Sequence, residues 1–182
     1  MRQLKFHEQK LLKKVNFLEW KAENGHREAA VLRRYHVQDR DDYKKYNKLC
    51  GMCTKLVALL RKLDARDPVR QELTQALLHK LYTLGVVPTE KGLALCDKLS
   101  VSSFCRRRLA VLLVRLKMAE TMREAVTFIE QGHVRVGPDT VTEPAFLVSR
   151  TLEDFVTWVD TSKIKRKVLK YNDKLDDYDL LN

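Results

Sequence analysis

The stretch FIEQGHVRVGPDTVTEPAFLV, Phe128 to Val148, decides how the carboxyl-terminal half of the chain folds. Its first residues finish a helical pattern, and Gly132 supplies the left-handed residue that ends a helix without Cβ strain. Val134-Arg135-Val136 then alternates with the period of two that belongs to a strand, so both valines face a core and Arg135 faces solvent. Gly137-Pro138-Asp139 is a turn, and Ala145 to Val148, after Pro144, reads as a second extended segment. A sheet this small needs helices behind it to bury its apolar face.

Those helices precede it. Thr121 and Glu124 have the spacing of a capping box, and Met122, Ala125, Val126 and Ile129 form the stripe of the short helix that follows. Upstream, SSFCRRRLAVLLVRLKMAE (residues 102–120) reads as one helix with a Ser cap, placing Leu109, Leu112, Leu113 and Leu116 on one face. Arg106, Arg107, Arg115 and Lys117 are left mostly to solvent. Downstream, DFVTWVD (residues 154–160) reads as a further strand, and Ser162 caps the helix KIKRKVLKY, in which Ile164, Val168 and Tyr171 share a face. Lys163, Lys165, Arg166, Lys167 and Lys170 make that helix strongly basic, whereas the end, NDKLDDYDLLN, reads as an acidic, solvated tail.

The amino-terminal half is helical throughout. LKFHEQKLLKKVNFLEWK places Leu4, Leu11, Val15 and Leu18 on one face, with Lys5, Lys10, Lys13, Lys14 and Lys21 largely elsewhere. Either this helix docks on the body or it is a basic arm that orders on a partner. Asn24-Gly25 breaks it, and a second helix covers roughly Arg27 to Val37. A long third helix starts near Asp39, with Tyr43, Tyr46, Cys50, Cys53, Val57 and Leu60 on its apolar stripe. Asp67-Pro68 opens a fourth, whose expected buried side is Val69, Leu73, Ala76, Leu77, Leu81 and Leu84. Gly85 ends it, and residues 86–100 read as a loop with a short helical piece.

Composition sets the partner class. Thirty-five Lys and Arg against twenty-four Asp and Glu give a formal charge of +11 over 182 residues. That excess favours a polyanion, nucleic acid first, through phosphate neutralisation and counterion release. No membrane partner is expected, because the longest purely apolar run, Leu109 to Val114, is far short of a span. MRQLKFHEQK lacks the apolar core of a secretory signal, so a soluble, intracellular protein is expected. Cys50-Gly-Met-Cys53 has the spacing of zinc and redox sites, but both thiols fall on an apolar helical stripe and read as core. There is no P-loop, Gly-x-Ser-x-Gly elbow, metal-binding His pair or dinucleotide fingerprint. The chain therefore reads as a non-enzyme with no cofactor, no metal and no small-molecule substrate.

The order from Arg106 to Val148, helix, capped helix, Gly-His, Val-x-Val, turn and extended segment, resembles the S4-type RNA-binding domain. From about Arg33 the chain looks like the body of small-subunit ribosomal protein S4 in its eukaryotic form, including the RDP turn and HKLYTLGVV. The two ends, LKFHEQKLLKKVNFLEW and TLEDFVTWVDTSKIKR, with RRRL, LKMAE and IEQGHVRVGP between them, resemble the S4-like subunits of the U3 small nucleolar ribonucleoprotein. The fold expected is α+β and mainly helical. It comprises an amphipathic arm (residues 1–25), a helical region (26–101), an S4-type domain of two helices and a small antiparallel sheet (102–150), and a carboxyl-terminal strand, basic helix and acidic tail (151–182).

The resemblance implies a nuclear, nucleolar protein of early small-subunit assembly and 18S processing. Its implied partners are U3 small nucleolar RNA, pre-ribosomal RNA, M-phase phosphoprotein ten and other small-subunit processome proteins. A ribosomal protein and a protein-binding scaffold are the alternative readings. The candidate RNA-binding residues are Arg106, Arg107, Arg108, Arg115, Lys117, Arg123, His133, Arg135, Lys163, Lys165, Arg166 and Lys167. For His133 a local turn bond and an RNA contact are equally open. Two positions depart from the wider S4 pattern: its Arg-Leu-Asp opening reads Arg108-Leu109-Ala110, and the Arg after the second helix's cap is Met122, with Arg123 one place later. One residue on a helix turns a side chain by about 100 degrees, so Arg123 points elsewhere than the family's arginine.

Overall fold

The structure is a computed structural model that describes residues 2–14 and 22–174. Helices α1 (Phe6–Lys14), α2 (Ala22–Arg34), α3 (Arg40–Lys62) and α4 (Pro68–Thr83) make up the first half. A 3-10 segment, Leu93–Lys98, leads into α5 (Val101–Cys105), α6 (Leu109–Arg115) and α7 (Met122–Glu130). Then come β1 (Val134–Val136), β2 (Asp139–Thr140), the one-turn helix α8 (Arg150–Glu153), β3 (Val156–Trp158) and α9 (Lys163–Tyr171). The fold is α+β and mainly helical, as the periodicities imply. No helix of the described residues is long and apolar enough to cross a membrane.

The sheet is antiparallel in the order β2-β1-β3, with Arg135 opposite both Thr140 and Thr157. Val134 and Val136 are buried and Arg135 lies half-buried on the other face, as strict alternation requires. Ala145 to Val148 does not join this sheet. β1 has two edges, one filled by β2 and the other by β3, so the extended segment pairs instead with the start of α6. Leu109 N donates to the Phe146 carbonyl at 2.8 Å and Val148 N to the Arg107 carbonyl at 2.9 Å. The third strand comes from beyond residue 150.

The capping box at α7 forms in both directions, each bond 3.3 Å long, and Gly132 takes φ +72 to stop the helix. Leu109, Leu112, Leu113, Ala125, Ile129, Val134 and Val148 are fully buried together, one compact core for α6, α7 and the sheet. Burial of a Leu such as Leu112 contributes about 1.5–3 kcal/mol. Phe128 and Trp158 close its edge with their rings 5.8 Å apart and nearly perpendicular.

Two further clusters hold the amino-terminal half. Tyr35, Tyr46, Cys50, Phe104 and Cys105 form one, and Val57, Leu78, Leu81, Val87 and Cys96 the other. The α3 stripe lies where the spacing put it, with Cys50 buried and Cys53 half-buried in it. On α4 the expected face is rotated: Leu78 and Leu81 are buried, but Val69 and Leu73 are 54% and 47% exposed. An apolar-rich helix satisfies helical spacing along more than one line, and here the line that meets Val57, Val87 and Cys96 prevails.

Three boundaries differ from expectation. Asn24-Gly25 lies inside α2 and does not break it. The helix expected from residue 102 is two helices, interrupted at Arg106 to Arg108, where Arg108 takes extended backbone (φ −65, ψ 141) as the N-cap of α6. Ser100, not Ser102, stands at the N-cap of α5. Val15, Phe17, Leu18, Trp20 and Lys21 of the amino-terminal segment, and the acidic tail from residue 175, fall outside the described residues.

Candidate nucleic-acid interface

The break between α5 and α6 sends three consecutive arginines in three directions. Arg106, at the C-cap of α5, is exposed and makes no ion pair among the described residues. Arg107 is 5% exposed, its Nε and Nη2 donating to the Val148 carbonyl at 3.0 and 2.8 Å and its Nη1 to Glu153 at 2.9 Å. Its guanidinium lies against Gly85 (φ +73), where a Cβ would stand 2.8 Å from Arg107 Cζ. Arg108 is 3% exposed and donates through Nη1 to Asp42 at 2.8 Å and to Tyr46 Oη at 3.1 Å. Burial works against its charge, but the bonds to Asp42 and Tyr46 outweigh it and hold its pKa above the ordinary value.

Arg107 and Arg108 are thus not surface cations, contrary to the sequence expectation. Arg107 is held by a carbonyl and a carboxylate and Arg108 by a carboxylate and a tyrosine hydroxyl, with Arg108 Nε buried and unpaired among the described residues, so both guanidinium groups lie inside the fold. A third arginine, which the sequence reading missed, completes the same system. Arg150 donates through Nε to the Tyr82 carbonyl at 2.8 Å and through Nη2 to the Val87 carbonyl at 3.0 Å, stacked 4.3 Å over the Tyr82 ring. The Tyr82 carbonyl also accepts from Gly85 N at 2.8 Å, so Arg150 adds a second donor at the end of α4 and ties it to Val87 in the segment beyond.

The remaining cations divide between two places. On the α6–α7 side, Arg106, Lys117 and Arg123 are exposed, and Arg115 is exposed with its Nη1 3.5 Å from Glu153. Lys117 lies beyond the end of α6 in the left-handed region at φ 60, a two-residue break from the helical face the sequence gave it. Arg123 sits on the first turn of α7, beside the capping box.

On the sheet side, His133, Arg135 and Lys165 meet at one corner. Arg135 donates through Nε to Thr157 at 3.0 Å and through Nη1 to Asp160 at 2.6 Å, and Lys165 reaches the other oxygen of Asp160 at 2.6 Å. The hydrogen bond from Lys165, aided by the charge of Arg135, holds the Asp160 carboxyl below its usual range. His133 Nδ1 lies 3.0 Å from Ser162 Oγ, which also accepts from Ile164 N at 3.2 Å and so caps α9. The His133 ring thus bonds neither the local turn nor its backbone but a side chain 29 positions away, which ties the sheet to the start of the basic helix. Lys163 and Lys167 are exposed along α9, and Arg166 is half-buried.

A fixed framework with exposed cations can neutralise polyanionic backbone. The interior arginines make it fixed, and of the surface cations Arg115, Arg135 and Lys165 share carboxylates while Arg106, Lys117 and Arg123 have no ion pair among the described residues. Among the described residues no group of three or more His, Cys, Asp or Glu side chains could hold a metal.

Comparison with known proteins places this geometry. The profile for the Ribosomal protein S4/S9 N-terminal domain matches residues 3–106, and that for the S4 domain matches residues 107–154. The chain is 58% identical to the U3 small nucleolar ribonucleoprotein protein IMP3 of Mus musculus, over 99% of this chain and 98% of that one. It is 55% identical to the protein of the same name in Saccharomyces cerevisiae, over 98% of each. Identity to small ribosomal subunit protein uS4 of Picrophilus torridus is 29%, over 79% of each chain.

Proposed function

This chain belongs to the family of the U3 small nucleolar ribonucleoprotein protein IMP3, and from that premise we propose that it is a non-catalytic RNA-binding subunit of that particle. It acts in the nucleolus, in early 18S processing and small-subunit assembly, by stabilising the pairing of U3 RNA with pre-ribosomal RNA. Contact with M-phase phosphoprotein ten and other processome proteins belongs to the same proposal.

The observation that carries the reading is the segregation of the arginines. Arg108 and Arg150 bond the S4 module to the helical region and Arg107 is bonded within the module and packed on Gly85, while Arg106, Arg115, Arg123 and Arg135 remain on its outside. Two RNA strands repel each other, and cations held at fixed positions lower that repulsion most at low ionic strength. A rigid array of this kind recognises backbone and shape, because the A-form major groove admits few side chains. Sequence choice then comes from base pairing between the RNAs. A ribosomal-protein role is the weaker reading, given the lower identity to that class over a smaller part of the chain.

Of the site residues named from sequence, Arg106, Arg115, Lys117, Arg123, Arg135, Lys163, Lys165 and Lys167 are retained as the proposed phosphate contacts. The test is annealing of a U3 5′ fragment to its pre-ribosomal complement, with and without the protein. Replacing Arg106, Arg115, Arg123 and Arg135 together by Ala lowers hybrid yield and flattens its salt dependence. An unchanged yield with an unchanged salt slope removes this surface from the function.

A further inference from the structure

The outer face of α3 repeats in sevens. Leu56 and Leu63 are seven apart, Met52 and Leu59 are seven apart, and the two pairs interleave at spacings of four, three and four. This is the a/d seam of a coiled coil. It is not the stripe that enters the core, which runs through Tyr46, Cys50, Val57 and Leu60. Met52, Leu56, Leu59 and Leu63 are instead 50%, 40%, 58% and 39% exposed. Four large aliphatic side chains exposed in register along one line form a contiguous patch of the kind that marks an interaction site.

A second row accompanies the first. Lys48, Lys55 and Lys62 also repeat in sevens and stand at the g positions flanking the seam, exposed and without an ion pair among the described residues. From Tyr43 to Leu63 the chain holds six Lys and Arg and no Asp or Glu. On the other flank, the e positions are Cys53 and Leu60, which turn into the core. One flank only is therefore available to a partner's charges.

We propose that this face docks an acidic amphipathic helix of another protein, packed along α3 as in a coiled coil, with Leu-like residues in the seam and Glu or Asp facing Lys48, Lys55 and Lys62. The seam from Met52 to Leu63 gives about 17 Å of contact at 1.5 Å per residue, two turns or more of the incoming helix. A second copy of this chain does not fit, because an antiparallel pair would set lysine row against lysine row, and a parallel pair would point each row at a buried flank. RNA does not fit either, since aliphatic side chains offer a base no aromatic ring to stack on. The proposal stands apart from the RNA surface and does not depend on it.

The test uses the full chain and two synthetic helical peptides of three heptads, both with Leu at a and d, one with Glu and one with Lys at e and g. Fluorescence anisotropy at low salt shows the Glu peptide binding and the Lys peptide not. Leu59→Asp, a change at an exposed position, weakens the Glu peptide at least tenfold. Changing Lys48, Lys55 and Lys62 to Glu inverts the preference. The same variants keep their RNA affinity, measured separately by gel shift with the U3 fragment. Failure of the Glu peptide to bind the full chain overturns the proposal, as does equal binding of both peptides or indifference to Leu59→Asp. Loss of RNA binding in the lysine variant assigns the row to RNA and equally overturns it. A free chain that sediments as a dimer dissociated by Leu59→Asp gives the face to a second copy, with the same result.

Discussion

Arg108 Nη1 stands 2.8 Å from Asp42 Oδ2, a bond between side chains 66 positions apart with 4% and 12% of their surfaces exposed. It joins the N-cap of α6 to the first turn of α3, so the S4 module cannot turn on the helical region without breaking a buried ion pair. Removing one partner strands the other charge, at a cost of about 3–5 kcal/mol. Arg108→Ala is therefore expected to lower the urea midpoint severely. The double variant Arg108→Met with Asp42→Leu recovers much of the loss, because no charge is left buried. A double-mutant cycle in urea checks both, and additive losses would refute the coupling.

Gly85 and Arg107 form the second fastening. Gly85→Ala asks an L residue to hold φ +73 and brings its Cβ into the Arg107 guanidinium, so it destabilises by about 1–3 kcal/mol. In an Arg107→Ala background the steric share of that loss disappears and the backbone share remains. The difference between the two Gly85→Ala losses, read from denaturation midpoints, measures the contact. Equal losses would show that only the backbone matters.

Much of this architecture was legible in the sequence, and its failures share one cause. The capping box, the glycine stop and the alternation at Val134 to Val136 are local rules, each settled within a few residues. The buried face of α4 and the fate of Ala145 to Val148 depend on what else competes for the same surface, and no local pattern contains that. Charge misleads most. Arg106, Arg107 and Arg108 are identical by composition, yet the three-residue break they form between α5 and α6 leaves one in solvent and takes two inside. A buried Arg needs acceptors, and Asp42, Glu153 and Val148 are 66, 46 and 41 positions away. The corner at Asp160 was equally invisible, although Arg135 itself was read as facing outward.

Cys105 gives a test of burial with a defined pH. Its surroundings push the thiol up to about 11, with removal from water as the largest cause. An unfolded thiol ionises near 8.5, so the neutral form favours the fold fully below that pH, and its contribution is lost as pH rises from there toward 11. The stability of the protein should fall over this window, and Cys105→Ala should flatten the fall. At pH 8, Ellman's reagent should reach Cys105 only at the rate of unfolding. Immediate labelling in the absence of urea would contradict the burial.

Asp160 limits what the sheet-side cations can do, since one carboxylate neutralises part of both Arg135 and Lys165. Its pKa is held low by those partners, so their mutual stabilisation is present above the unfolded carboxylate pKa, about 3.9, and is lost as pH falls through the lower folded value. Throughout the neutral range the carboxylate stays charged and competes with phosphate. Asp160→Asn removes the competitor while keeping the shape of the side chain. It should tighten RNA binding and steepen the dependence of log affinity on log salt by about one unit for each cation recruited to a phosphate. Adding Arg135→Ala should cancel part of that gain, whereas adding Arg107→Ala should not, because Arg107 points inward. Affinity measured across a salt series for the four proteins decides the matter: a gain that survives Arg135→Ala undiminished would place the contact elsewhere.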